Sequence, residues 1–197
     1  MSAKSKTLIR CKWAPADDAK YVAYHDTEWG VPERDSKALF AKLVLDGMQA
    51  GLSWRTILYK REDILEEFDG LDPDRLAKWT PKRVEKALKN PGIIRSKLKT
   101  NGAVKNARAY HALEDEIGSF SDYLWGFVGG KPIVNTWKTM KQVPAETPES
   151  QAMAKDLKKR GFTFCGPVIV YAFMQAVGMV NDHTTDCFRY KQMGTRR

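Results

Sequence analysis

The chain has 197 residues, 43% of them hydrophobic and 29% charged, a balance that excludes a disordered chain and a small disulfide scaffold. No run of about 18 apolar residues occurs, which excludes a membrane-spanning helix; the longest apolar stretch, Val168 to Val177, contains Tyr171 and Gln175. A formal net charge of +9 and a pI near 9.4 favour polyanionic partners, chiefly nucleic acid, with general solubility as the alternative.

In chain order, the start MSAKSKTLIRCKW has basic residues but no apolar segment, so a cytoplasmic protein without a secretory signal is expected. Ser36 to Gln49 carries a helical stripe of Leu39, Phe40, Leu43, Val44 and Met48, capped by Asp35 or Ser36. Gly47 interrupts its last turn. A second helix starts after Ser53 and stops near Gly70. Asp72-Pro73 and Thr80-Pro81 open two short helices with proline at the first helical position. Arg95 to Ile117 is a further helical stretch, weakened by Asn101-Gly102, and Ser119 to Val128 is rich in aromatics. Residues 129–148, with Gly129, Gly130, Pro132 and Pro144, read as a loop. Thr147-Pro148-Glu149 starts a helix that ends in Lys158-Lys159-Arg160-Gly161, a basic last turn closed by glycine. Gly166 to Val177 is the final, nearly all-apolar helix. Lys131 to Val134 is the one weak strand candidate. The pattern predicts an all-α fold whose two ends pack together, with no linker and no repeat.

Two short segments concentrate metal-binding chemistry. Cys11 and His25 lie near one end, and His183 and Cys187 near the other. The H-x-x-x-C spacing puts His183 and Cys187 on one face of a helical turn. Two thiolates and two imidazoles form a closed tetrahedral zinc set, structural because no ligand position stays open. Two core cysteines and two ordinary histidines are the alternative. Economy favours zinc: these segments hold two of the three cysteines and two of the three histidines. His111 and Cys165 are left over and read as structural.

Two further groupings bear on ligands. Lys158 to Gly166 joins two helices through a turn with glycine at each end. Free N–H groups at the second helix can hold a phosphate without reading sequence, although an ordinary αα-hairpin has the same pattern. Tyr24, His25, Asp26, Glu28, Trp29 and Gly30, with Asp46, Met48, Gln49 and Trp54, put carboxylates beside aromatic rings. That combination suits a flat cationic ligand; Trp29 and Trp54 as plain core residues are the alternative.

Five segments carry a family resemblance: AYHDTEWGVPERDSKALF from Ala23, LDGMQAGLSWRTIL from Leu45, NPGIIRSKLK from Asn90, NARAY from Asn106 and LKKRGFTFCGPVIVYAFMQAVGMVNDH from Leu157. In order and in detail they resemble DNA-3-methyladenine glycosylase I, the Tag family, over roughly Arg10 to Cys187. The resemblance implies an all-α helix-hairpin-helix DNA glycosylase whose structural zinc, on Cys11, His25, His183 and Cys187, ties the N- and C-terminal segments. It implies one glycosylase unit over residues 1–197, built of two intergrown helical subdomains, with the helix-hairpin-helix near 157–178. Tyr24 and Trp54 match the aromatic positions that hold the flipped base. Asp46 stands where the family motif carries glutamate, keeping the charge with one methylene less reach. Gly51-Leu52 resembles the loop that wedges into the duplex, and Arg160 with Gly161 to Gly166 forms the phosphate-binding hairpin.

The activity so implied is that of a monofunctional N-glycosyl hydrolase, a monomer acting on double-stranded DNA containing 3-methyladenine, with no strand-cleaving lysine. Asp182, beside His183, lies where other helix-hairpin-helix glycosylases carry a catalytic aspartate, and the resemblance gives it no such role. Two alternatives come from other classes. One is a DNA-binding member of altered or lost catalysis, for which Asp46 is the hint. The other is a zinc-stabilised scaffold that binds a protein through its basic surface.

Overall fold

The structure, a computed structural model, describes residues 8–194. Among them the elements are α1 (Ala19–Thr27), α2 (Ser36–Met48), α3 (Trp54–Glu67), α4 (Pro73–Leu76), α5 (Pro81–Ala87), α6 (Lys97–Ile117), α7 (Phe120–Gly126), β1 (Ile133–Val134), α8 (Pro148–Lys159), α9 (Pro167–Ala176), β2 (Val180–Asn181) and α10 (Phe188–Gly194). Side-chain caps set most helix starts. Asp35 accepts from the Ala38 N–H, Ser53 from Thr56, Asp72 from Asp74 and Arg75, Thr80 from Arg83 and Thr147 from Ser150. Each cap satisfies a donor that the first helical turn would otherwise leave open.

The all-α expectation holds with one amendment. Ile133 pairs with Val180 and Val134 with Asn181 in a two-residue parallel bridge. The weak strand signal at Lys131 to Val134 therefore finds its partner immediately after α9. Helices α1 and α10 are not announced by the sequence pattern: their residues AKYVAYHDT and FRYKQMG lack a continuous apolar stripe. No helix among the described residues is long and apolar enough to cross a membrane.

Helix α2 is the centre of the packing, touching α3, α6, α7 and α9. Its Leu39, Phe40, Leu43 and Val44 are buried with Phe173 and Met174 of α9 and Ala107 and Tyr110 of α6 in one large core. A smaller cluster gathers Cys11, Tyr24, Trp29, Leu58, Ala176 and Cys187. Trp54 packs against both.

The two glycines that look like helix breakers do not break their helices. Gly47 lies within α2 and Gly102 within α6. A Cβ on Gly47 would meet Phe164 O at 3.0 Å, and one on Gly102 would meet the Phe164 ring at 2.8 Å. Both glycines give the turn between α8 and α9 room to sit down on the core, a close approach that outweighs their lower helix propensity of about 1 kcal/mol each. Phe164 itself has φ 55, so the turn is held against its own strain. The buried Asn106 of α6 does part of that holding. Its Oδ1 accepts from Thr163 N at 2.8 Å and Thr163 Oγ1 at 3.1 Å, and its Nδ2 donates to Thr163 O at 3.0 Å.

Asn106→Ala removes all three bonds and leaves the Thr163 N–H without that acceptor. We expect a loss of about 1–3 kcal/mol, read as a lower urea midpoint at unchanged slope.

Candidate functional site

Cys11, His25, His183 and Cys187 converge. One ligand atom from each lies within 4.8 Å of all the others, and all four residues are buried. Cys11 Sγ stands 3.5 Å from His183 Nδ1, and Cys187 Sγ stands 3.5 Å from both His25 Nε2 and His183 Nδ1. Outer contacts fix both rings. His25 Nδ1 meets Asp26 Oδ1 at 2.7 Å, and Asp26 is held by Arg10. His183 Nε2 meets Trp29 O at 3.3 Å. Such outer partners orient metal-binding imidazoles. The neighbouring Cys11 thiol, aided by the histidines, drives Cys187 far below the ordinary thiol range, while the proximity of Cys187 and burial push Cys11 up. One thiolate is thus stabilised even before any ion is considered, and the cluster can hold a metal ion.

One element of the cluster differs from the sequence reading. His183 and Cys187 do not share a helical turn. His183 lies two residues past the end of β2, and Cys187 closes a turn onto Thr184 O just before α10. A turn brings residues four apart together as a helix does, so the spacing works for a different backbone reason. Of the leftovers, Cys165 is buried in the core, and His111 is half-exposed at 3.4 Å from Asp74.

Beside this cluster opens a cleft of about 230 Å³, whose walls include Tyr24, Lys42, Asp46, Gln49, Trp54 and Gln175. This is below the roughly 300–1,000 Å³ of drug-sized sites and suits a single small ring system. The Tyr24 and Trp54 rings lie 5.2 Å apart, tilted by 41°. Asp46 is buried; its Oδ1 accepts from Lys42 Nζ, one turn earlier on α2. Lys42 Nζ also lies 4.3 Å from the Trp54 ring centroid. Burial pushes the Asp46 carboxyl up and the Lys42 ammonium down, each opposed by the charge of the other. Burial, then the field of Asp46, pushes the Tyr24 phenol well up.

Three buried polar atoms on cleft-lining residues have no hydrogen-bond partner: Trp13 Nε1, Trp54 Nε1 and Asp46 Oδ2. Two donors and one acceptor, each costing about 1–3 kcal/mol when unmade, thus sit on residues that line the cleft.

The matching of residues 13–190 to the methyladenine glycosylase family falls on this cleft and on three of the four cluster residues; Cys11 lies just before it. The chain belongs to the methyladenine glycosylase family. It is 48% identical over 178 residues to a DNA-3-methyladenine glycosylase of Haemophilus influenzae, covering 90% of this chain and 96% of the relative. A crystal structure of a 3-methyladenine DNA glycosylase I superposes with TM-score 0.89 at 49% identity, covering 91% of this chain and 98% of that one. The Staphylococcus aureus enzyme, solved for its recognition of 3-methyladenine, superposes at 0.88 with 37% identity, covering 91% and 95%.

In this member of the methyladenine glycosylases, not every candidate residue faces the cleft. Tyr24, Trp29, Asp46, Gln49 and Trp54 line it. Asp26 serves the Cys/His cluster, Glu28 pairs with Arg61, and Met48 lies in the core. Leu52 stands 41% exposed in the loop between α2 and α3, after Gly51 with φ 74. Lys99 braces that loop by donating to Met48 O and Ala50 O at 2.9 and 2.6 Å. Gly161 has φ 92 and Gly166 caps α9 with no side chain. Arg160 is engaged by Asp156 at 2.8 Å and Glu116 at 2.9 Å. The groove beside the hairpin is lined instead by Lys105, Lys155 and Lys158.

Asp182 accepts from Asn135 Nδ2, Trp137 Nε1, Tyr171 Oη and Gln175 Nε2, at 2.6–2.8 Å. Four donors occupy both carboxylate oxygens, so Asp182 reaches the cleft only through Gln175. Lys42 and Gln175 escape the sequence reading. For Lys42 the signal was present: it sits four residues before Asp46, on the same helix face. For Gln175, half-buried in an apolar helix, there was none.

Proposed function

We infer that this chain is a DNA-3-methyladenine glycosylase, which flips the damaged nucleotide out of double-stranded DNA and hydrolyses its glycosidic bond. The observation that carries the reading is the convergence of Tyr24, Trp54 and the unpartnered Asp46 Oδ2 on one small cleft in a member of this family.

The chemistry asks little of the protein beyond binding. Methylation at N3 makes the attached adenine a cation and a good leaving group. Flipping costs a few kcal/mol, least for a damaged and weakly paired base. The base then stacks against Tyr24 and Trp54, and its exocyclic amine donates to Asp46 Oδ2. The C1′–N9 bond breaks with its electron pair moving to N9, which discharges the purine. Water adds to C1′ and gives up a proton. No covalent enzyme intermediate is required, so the reaction is base release without strand cleavage.

The DNA is gripped away from the base. Backbone N–H groups of the Gly161 to Gly166 hairpin and the start of α9 take a phosphate. Lys105, Lys155 and Lys158 flank the hairpin with positive charge, and Arg160, neutralised by Asp156 and Glu116, braces its entry. Leu52, carried past Gly51, fills the gap left in the stack. The acting unit is the whole chain, 1–197, a cytoplasmic monomer of two intergrown helical subdomains. Cys11, His25, His183 and Cys187 would hold a structural zinc: two thiolates and two imidazoles suit tetrahedral zinc, and the S···N separations of 3.5 Å leave room for an ion between them. Four protein ligands leave no open position, so the ion braces the fold and takes no part in the reaction.

Zinc analysis of the purified protein should find one ion per chain. Cys187→Ala should release it and lower the melting temperature, because the ion's binding energy is folding energy; zinc-free wild-type protein with full stability would contradict this. Leu52→Ala should weaken binding to lesion or abasic duplex more than to intact duplex, measured by titration at fixed salt; equal losses would remove the wedge role.

Asp46 provides the test of the function itself. Asp46→Asn should slow release of 3-methyladenine from methylated DNA by roughly tenfold to a hundredfold, the worth of a charge-assisted hydrogen bond. Asp46→Glu should preserve or raise the rate. Chromatography of the released bases reads both, and wild-type kinetics in Asp46→Asn would overturn the assignment.

A further inference from the structure

A second cluster of cations stands apart from both the cleft and the hairpin. Helix α5 and the turn that ends it carry Lys82, Lys86 and Lys89 along a groove of about 500 Å³, which Thr80, Arg83 and Glu85 also line. Spacings of four and three residues put the three lysines on one side of the helix, and all three are exposed. Glu85 is the one acid of the groove, and it is bonded to Lys97 of α6 at 2.6 Å. Arg83 is tied to Glu67 at 2.5 Å. The groove is left with three lysine charges and no carboxylate to spare for them.

Folding does not account for these charges. Lys82 sits in the first turn of α5, which holds no acid, and a cation there opposes the helix dipole. Lys82 and Lys86, four apart, repel each other along the same face. A polyanion laid along the groove would relieve both costs.

The position of the groove says which polyanion. Helix α6 holds α5 on one side, through Lys97 to Glu85 and through Arg108, which donates to Ala77 O and Trp79 O just before α5. On its other side α6 seats the hairpin, through Gly102 and Asn106. Between the two it presents an exposed stripe of Leu98, Asn101 and Lys105, and Lys105 already lines the hairpin groove. The α5 lysines therefore continue the surface assigned above to DNA. Resting on that DNA-glycosylase reading, we propose that Lys82, Lys86 and Lys89 form a second phosphate-binding surface, which holds the backbone of the same duplex to one side of the lesion. The hairpin grips the backbone with a rigid turn and fixed N–H groups; the α5 lysines grip it by charge alone, with no reading of bases.

The test uses the full chain and a duplex of about three helical turns with a central abasic site, titrated by fluorescence anisotropy over a range of salt. Combining Lys82→Gln, Lys86→Gln and Lys89→Gln keeps side-chain length and helix propensity. The triple variant should flatten the slope of log affinity against log salt by about two to three, the counterions released by three phosphate contacts, and should weaken binding about tenfold or more at low salt. Its melting temperature should hold or rise, and its binding of free 3-methyladenine should not change. A second measurement separates local contact from lost net charge. An iron-EDTA cleaving group attached to the thiol of Lys86→Cys should cut the duplex backbone at a discrete position beside the lesion; the native cysteines are buried and so spared the attachment. An unchanged salt slope, or weaker binding with no discrete cut, would overturn the proposal and leave a solvated face or an acidic protein as the occupant. Failure of the wild-type chain to bind the lesion duplex in a salt-dependent way would instead overturn the glycosylase reading, and this proposal with it.

Discussion

The meeting of Cys11 and His25 with His183 and Cys187 governs the geometry of everything around the cleft. Cys11 and His183 are separated by 172 residues, so their contact closes almost the whole chain. Closing so long a loop costs entropy that grows only slowly with its length, and a dry, buried donor set can offset it. The consequence is local. His25 is followed in space by its neighbour Tyr24, which lines the cleft, and His183 is preceded by Asp182, which holds Gln175 at the cleft's other side. Bracing the chain ends therefore also positions two walls of the cleft. Trp29 joins the two, lining the cleft while its carbonyl meets His183.

Helix α2 carries a second constraint. It supplies the centre of the hydrophobic core through Leu39, Phe40, Leu43 and Val44, and it also carries the half-buried Lys42 and the buried Asp46. A buried ion pair seldom adds stability, because desolvating both charges costs about as much as their attraction returns. Its presence in the middle of the main packing helix, with one carboxylate oxygen unmet, is better explained by ligand recognition than by folding. The rigid core on the other faces of α2 keeps the carboxylate where it is.

The hairpin shows the same division between support and contact. Gly47, Gly102 and Asn106 touch no ligand surface of their own; they seat and hold the turn between α8 and α9. Arg160 is likewise tied to Asp156 and Glu116, which fixes where α8 ends. The charge on the groove comes from Lys105, Lys155 and Lys158, one from α6 and two from α8. A rigid turn flanked by lysines suits the proposed grip on a phosphate backbone without reading bases.

Much of this was legible in the residues themselves. The stripe of α2, the caps Asp35, Ser53, Asp72, Thr80 and Thr147, and the prolines that open α4, α5 and α8 are local features, and local backbone energetics decide them. The Cys/His set and the Tyr24, Asp46 and Trp54 grouping were also readable, because those residue types are scarce or chemically distinctive. Helices α1 and α10 were not, since their stability comes from packing around the cluster rather than from a stripe of their own. Nor were the pairing of β1 with β2, the roles of Gly47 and Gly102 as seats for Phe164, and the convergence of Lys105 with Lys155 and Lys158. The engagement of Lys42 by Asp46 lay between the two cases: the spacing allowed it, but only burial turns such a pair from a solvated contact into a feature of the pocket. Sequence fixes what a residue can do within a turn or two of its neighbours. Which distant atoms share a dry space, and so which charges and orphaned donors act on one ligand, is settled only when the chain closes on itself.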